Sequence, residues 1–236
     1  MKKNYKRIVL SILALIAAGV SPNLFVISQA GYAKLSDLAI TFLIPSIILL
    51  AVIIAVAFLA GEKPTGKQIL TGLAGGAIAT IGLEVVREIG FHMGGMPGDM
   101  PKLLGVLLLD RFALGPSTWS NIAGWSYHFW NGASFGIIYS LLAGRGNKWY
   151  GISFGLLMAI GFMASPVVVA LGVGKFGVDY GPGFAITVTL AHIAFGIILG
   201  WYVASKNKNC SDIVSIIKSL FLKGGVNCEK SEKIDF

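Results

Sequence analysis

Side chains able to do acid–base or ligand chemistry are scarce in this sequence, and several gather between Glu84 and Pro101, which reads EVVREIGFHMGGMPGDMP. Glu84, Glu88 and His92 recur at every fourth position, a spacing that puts all three on one face of a helix. Arg87 and Asp99 add a cation and a third acid, and Gly94, Gly95, Pro97, Gly98 and Pro101 end the helix. Two further histidines, His128 and His192, lie inside long apolar segments. Ionisable groups at membrane depth are costly, so they mark a functional site by default.

Several chemistries fit these residue types. Imidazole and carboxylate bind divalent transition metals, so Glu84, Glu88, His92, His128 and His192 form a candidate metal set, with Asn131 as an outer hydrogen-bonding partner one turn from His128. Met93, Met96 and Met100 place thioethers suited to Cu(I) near His92. Arg87 opposes a purely cationic site, because it can neutralise Glu84 or Glu88. Acids and histidines in series also suit a proton or small-solute pathway, since histidine titrates near neutral pH. A third reading holds b-type haem between His128 and His192, with neighbouring glycines making room for the macrocycle. An enzyme using Glu84 or His128 as acid–base lacks any Ser, Cys or Asp nucleophile pattern beside it. The rival from another class is a non-transporting membrane subunit or assembly protein, in which histidines and glycines only pack helices.

The elements that must position these residues are membrane helices. Of 236 residues, 55% are hydrophobic and only 13% charged, and the mean hydropathy is +0.77. A soluble domain of this size cannot hide that much apolar surface, so the lipid bilayer is the expected solvent. The 31 glycines fit closely approaching membrane helices. The net charge of +8 does not indicate nucleic-acid binding, because the basic residues sit at segment ends. Cys210 and Cys228 lie in the C-terminal tail without CxxC spacing, and read as thiols rather than a zinc or redox motif.

Hydropathy predicts an all-α, polytopic helix bundle with about six spans, near residues 8–28, 38–60, 68–91, 121–143, 149–171 and 184–204. The first also resembles a secretory signal peptide, with a basic start and Ala30–Gly31–Tyr32–Ala33 after the apolar run. Pro45 is expected to kink the second span. Residues 102–115 are too few to cross and read either as a re-entrant or interfacial helix or, the favoured reading, as a plain surface helix with Asp110–Arg111 as a local ion pair. Residues 1–205 then form the transmembrane domain, and 206–236 a polar tail in which Ile213, Ile216, Ile217, Leu220 and Leu222 predict a short amphipathic helix. Lys2, Lys3, Lys6, Arg7, Lys63, Lys67, Arg145, Lys148, Lys206 and Lys208 fall on one side of such a bundle, so both termini are expected in the cytoplasm.

Counted from the opposite side, Glu84, His128 and His192 reach similar depths, which predicts a polar site in the outer half of the membrane. The fourth and sixth spans repeat one pattern, His128-xxx-Gly132-xxx-Gly136 and His192-xxx-Gly196-xxx-Gly200, each putting a histidine on the stripe of its glycines.

Those two stripes, with Phe154–Gly155, Pro166, the run Gly172–Val173–Gly174–Lys175–Phe176–Gly177 and Trp201–Tyr202, resemble a family of small, uncharacterised polytopic prokaryotic membrane proteins over the C-terminal third. The resemblance implies a cytoplasmic-membrane protein and no particular activity; Glu84, Glu88 and the methionine-containing loop are outside it. The residues favour binding or transport of a small cation, metal or proton, and leave the oligomeric state open.

Overall fold

A computed structural model describes residues 2–208 and 210–221; the tail positions Leu222 and Cys228 lie outside them. Among the described residues all regular structure is helical, so the chain is an all-α bundle. α1 spans Lys2–Gln29. α2 (Leu35–Leu38), a π turn (Ala39–Leu43) and α3 (Ile44–Leu59) run on as one rod. The π turn lies just before Pro45, whose missing N–H removes a ladder bond, and widening the helix there absorbs the gap. α4 spans Lys63–His92, α5 Met100–Leu108, α6 Thr118–Ala143, α7 Lys148–Ala164, α8 Pro166–Ala170, α9 Pro182–Lys206 and α10 Ile213–Phe221.

Among the described residues four helices are long and apolar enough to cross a membrane, Tyr5–Gln29, Leu35–Leu59, Lys63–His92 and Pro182–Lys206, which is fewer than the six expected. The expected fifth span is broken. Ser165 leaves the helix with ψ at 162°, because the residue before a proline avoids helical backbone. The 17 residues of α7 then reach only about 25 Å, short of the roughly 30 Å hydrocarbon core. The 26-residue α6 has the length but not the apolar composition, because it carries Asn121, His128 and Asn131 together with several glycines and serines. The outside of the bundle is apolar, with Ile40, Ile44, Ile48, Val52 and Val56 exposed along the α2–α3 rod, a surface suited to lipid. Exposed aromatics collect near the helix ends, Trp149, Tyr150 and Trp201 at one end and Trp119, Tyr32 and Tyr180 at the other. The chain is a membrane-embedded protein.

α4 is the spine. It packs along α6 on one side and α9 on the other, α7 lies on α9, and α1 lies on α6 and α3. Two of these contacts are glycine against glycine. Gly72 and Gly76 of α4 meet Gly136 and Gly132 of α6, and Gly151 and Gly155 of α7 meet Gly196, Gly200 and the His192 carbonyl of α9. At Gly76 and Gly151 an added Cβ would strike partner backbone, so these helices approach as closely as only glycine permits. The bundle therefore holds two similar units, α4–α5–α6 and α7–α8–α9, each a glycine-paired antiparallel couple bridged by a short helix with proline in its first two positions.

The short elements differ from expectation in two places. α5 stops at Leu108, and Gly105 seats against Ser120 and Gly124, so α5 folds down onto α6 instead of lying on the surface. Asp110 does not pair with its neighbour Arg111; it accepts a hydrogen bond of 2.8 Å from Lys34, which raises the Lys34 ammonium above its ordinary value. α10 forms as expected, but Ile213 and Ile216 are buried against the bundle end. Burial pushes the Asp212 carboxyl up, but hydrogen bonds from the hydroxyl and N–H of Ser215 outweigh it and hold it below the usual range.

A polar knot ties that end. Gln68 Nε2 donates to the Ser140 carbonyl at 2.6 Å, Ser140 Oγ returns a bond to the Gln68 carbonyl at 2.8 Å, and Asn207 Nδ2 donates to Ser140 Oγ at 2.9 Å. Arg7 reaches Gln68 Oε1 at 3.3 Å and the Ser211 carbonyl at 3.2 Å, so α1, α4, α6 and the tail are joined at one face of the bundle.

Candidate functional site

At the other end, α4 continues through Gly90 to His92 and carries its charged face into the bundle. Arg87 is the centre of that face, with a side chain only 5% exposed. Its Nε donates to both oxygens of Glu84 at 2.9 Å, and its Nη2 lies 2.8 Å from Glu84 Oε2 and 2.9 Å from Glu88 Oε2. Helical spacing supplies Glu84, three residues before Arg87 on the same face, whereas Glu88 is the next residue and reaches Arg87 only through the length of the two side chains. Asp99, at the start of α5, comes within 3.6 Å of Arg87 Nη2 and also pairs with Lys102 at 3.2 Å. Three carboxylates thus face two permanent cations.

Histidine completes the set. His128 of α6 places Nε2 2.9 Å from Glu84 Oε1. That separation is of hydrogen-bond length, but the atom makes no directional hydrogen bond, so we read it as a close polar contact and not an aligned bond. His92 pairs with Glu88 at 3.2 Å, yet its side chain is 73% exposed, at the rim. His192 of α9 has Nδ1 2.8 Å from the Val188 carbonyl. A carbonyl only accepts, so Nδ1 carries the proton and Nε2 is left as the acceptor. The His192 ring stacks on Phe162 with centroids 6.2 Å apart.

Arg87, His128 and His192 border one internal cavity of about 580 Å³. Most of its wall is apolar, with Phe135, Phe154, Phe162, Met96, Met100 and Met158, and the other polar groups on it include Asn131, Thr80 and Thr187. The volume lies within the roughly 300–1,000 Å³ of small-molecule sites. A separate groove of about 420 Å³ between α1 and Leu38–Phe42 contains no ionisable side chain. Glu84 lies eight residues from the end of α4, and His128 and His192 ten from the starts of α6 and α9, depths of about 12 to 15 Å.

The residues singled out in the sequence are therefore partly gathered. Glu84, Glu88, Arg87, Asp99 and His128 form one network, and His192 joins them only across the cavity. Asn131 does not support His128; its Oδ1 accepts from Ser21 Oγ of α1 at 2.6 Å, while Tyr127 donates to the Ser21 carbonyl at 2.8 Å. The methionines separate, with Met93 81% exposed and Met96 5% exposed in the core against Phe184 and Val188. Among the described residues no three His, Cys, Asp or Glu side chains are arranged to hold a metal ion. Arg87 fills the position between the carboxylates that a metal would need. An axial haem role for His128 would require breaking its contact with Glu84.

Ser21, Tyr127, Thr187 and Phe162 were not among the sequence candidates. Nothing in their spacing marks them, because each contributes through a partner on another helix. The two-unit architecture exposes an asymmetry. Glu84 lies eight residues beyond Gly76, and the residue eight beyond Gly155 in the second unit is Met163. His128 therefore has a carboxylate partner and His192 a backbone one. No family model matches the chain, and no curated protein or solved structure matches it.

Proposed function

We propose that this integral membrane protein holds an exchangeable proton at the Glu84–His128 pair, beside the internal cavity, and so binds or passes a small cation. The carrying observation is the 2.9 Å contact between His128 Nε2 and Glu84 Oε1, with Arg87 occupying the other edge of the same carboxylate. Glu84 is the buried acid of the cluster, with Arg87 on one edge and His128 against the other, whereas Glu88 and Lys102 are about half exposed and solvated. Arg87 makes a metal ion a poor occupant of the same place, because like charges at that distance repel strongly in a low-dielectric interior. The groups facing the pair are Arg87 on α4 and, across the cavity, His192 on α9.

The basic residues at the knotted end favour the cytoplasmic membrane with both termini inside, which puts the cluster in the outer half. A family likeness to small prokaryotic membrane proteins is consistent with that location. The packing-subunit reading draws on a different observation, the glycine contacts, which account for the stripes without involving either imidazole ring.

The test is proton movement into vesicles holding the purified chain and a pH-sensitive dye, driven by a potassium diffusion potential. Wild type is expected to exceed empty vesicles. Glu84→Gln and His128→Ala fall to background, and His92→Ala, altered at the exposed rim, behaves as wild type. Background rates from folded wild-type protein refute the proposal.

A further inference from the structure

The cavity also opens sideways. Its wall includes Pro22, Asn23 and Val26 of α1 and Phe154, Leu157, Met158 and Gly161 of α7. Asn23 and Gly161 are exposed, and Leu157 is 67% exposed. α1 packs on α3, α6 and α8, and α7 on α9, but α1 and α7 share no extended packing interface. In a membrane-embedded bundle, a gap between two peripheral helices faces lipid. A molecule dissolved in the bilayer could reach the cavity there without crossing the headgroups.

The interior specifies what kind of molecule. Phe135, Phe154, Phe162 and Met158 offer an apolar, polarisable wall. At its polar end Arg87, buried and bordering the cavity, has Nη1 without a hydrogen-bond partner. A buried guanidinium N–H seeks an acceptor. The charge of Arg87 is already met by Glu84, Glu88 and Asp99, so an anionic head would add a fourth negative group to the cluster. A neutral oxygen, carbonyl or hydroxyl, accepts from Nη1 without that repulsion.

We infer that the cavity is the binding site of a neutral, lipid-soluble molecule carrying a carbonyl or hydroxyl oxygen, which enters from the bilayer between α1 and α7 and sets that oxygen against Arg87. The inference uses the polar cluster of the proposed proton site but does not depend on its protonation. It gives that cluster a ligand at the apolar end of the same cavity.

The full chain in phosphatidylcholine vesicles is tested with two photoactivatable probes, a long-chain diazirine alcohol and the matching carboxylic acid. The alcohol is expected to label Phe135, Phe154 or Met158, and excess unlabelled long-chain alcohol to compete. Gly161→Trp should cut that labelling roughly tenfold or more, leaving labels on lipid-facing Ile160 and Leu190 unchanged. A Cβ at Gly161 meets open space, so the substitution starts without a backbone clash and sets an indole at the opening, and an unchanged thermal unfolding midpoint checks that the fold is kept. Arg87→Gln should lower cavity labelling further. Labels confined to lipid-facing residues, cavity labelling indifferent to Gly161→Trp, or stronger cavity labelling by the acid than by the alcohol would overturn the inference. Lost labelling with proton movement intact removes the ligand and leaves the proton site; labelling that persists without proton movement removes the proton site and leaves the ligand.

Discussion

Removing Arg87 should damage this protein more than removing any of the acids it contacts. Arg87→Ala leaves Glu84, Glu88 and Asp99 facing one another without their buried guanidinium; Lys102 reaches only Asp99, and His128 and His92 touch Glu84 and Glu88. Breaking a buried pair so that a charge is left uncompensated costs about 3–5 kcal/mol, and the 5% exposure of the Arg87 side chain puts it in that class. Glu84→Ala is milder, because Arg87 keeps Glu88 at 2.9 Å and Asp99 at 3.6 Å. Its cost is set by the lost charge-assisted bonds, roughly 1.5–3 kcal/mol. In the double variant most of the imbalance at Glu84 is gone, so its cost should fall short of the sum of the singles by about 1–3 kcal/mol. The assay is reversible unfolding in mixed micelles, followed by tryptophan fluorescence, for wild type, both singles and the double. Arg87→Ala costing less than about 1 kcal/mol would refute the reasoning, since that is what a solvated surface pair loses. Strict additivity would refute it as well, because it would mean the two side chains do not interact.

Four further outcomes follow from the geometry. Gly76→Ala should separate α4 from α6 and destabilise by about 1–3 kcal/mol, whereas Gly19→Ala, with open space at its Cβ, should be neutral or slightly stabilising; equal effects in a thermal-shift assay would contradict the packing argument. Tyr127→Phe removes the bond to the Ser21 carbonyl and should cost about 0.6 kcal/mol, at most about 1.7, in micelle unfolding. Gln68→Leu removes the side-chain bonds from Gln68 to the Ser140 carbonyl and from Arg7 to Gln68, while Ser140 Oγ keeps the backbone carbonyl at 68, and should expose the Arg7 end to faster amide exchange by about tenfold or more. The depressed Asp212 carboxyl stabilises the start of α10 above its unfolded value, and that support is lost as pH falls through the folded one. Amide exchange in α10 should therefore quicken under acid, and Asp212→Ala should remove the pH dependence.

Parts of the site were legible in the chain itself. The four-residue spacing of Glu84, Glu88 and His92 does place them along one face, and α4 runs unbroken through Gly90 to His92. The depths of Glu84, His128 and His192 follow from counting residues along helices, and the cavity lies where that counting put the polar groups. Arg87 was read as an objection to a metal site; in the bundle it is the hub that every neighbouring acid turns toward. Asn131 was assigned to His128 because one turn separates them, but Ser21, on a helix more than a hundred residues earlier, claims its side chain.

Local rules thus settled what is local. Apolar composition decided for lipid, and helical periodicity decided which residues share a face. Proline at 166 had only local information behind it too, and still its effect was underestimated, since the break at Ser165 shortens α7 below the membrane thickness. Which helices are neighbours is another kind of fact. Contacts between α4 and α6, or α7 and α9, depend on glycine surfaces meeting across dozens of residues, and no periodicity along one helix encodes its partner. The sequence alone therefore determined a lipid-embedded helical protein with a few ionisable groups at similar depth. Only tertiary packing decided that Arg87 holds three acids together, that His128 meets Glu84 while His192 meets backbone, and that a gap between α1 and α7 leads to them.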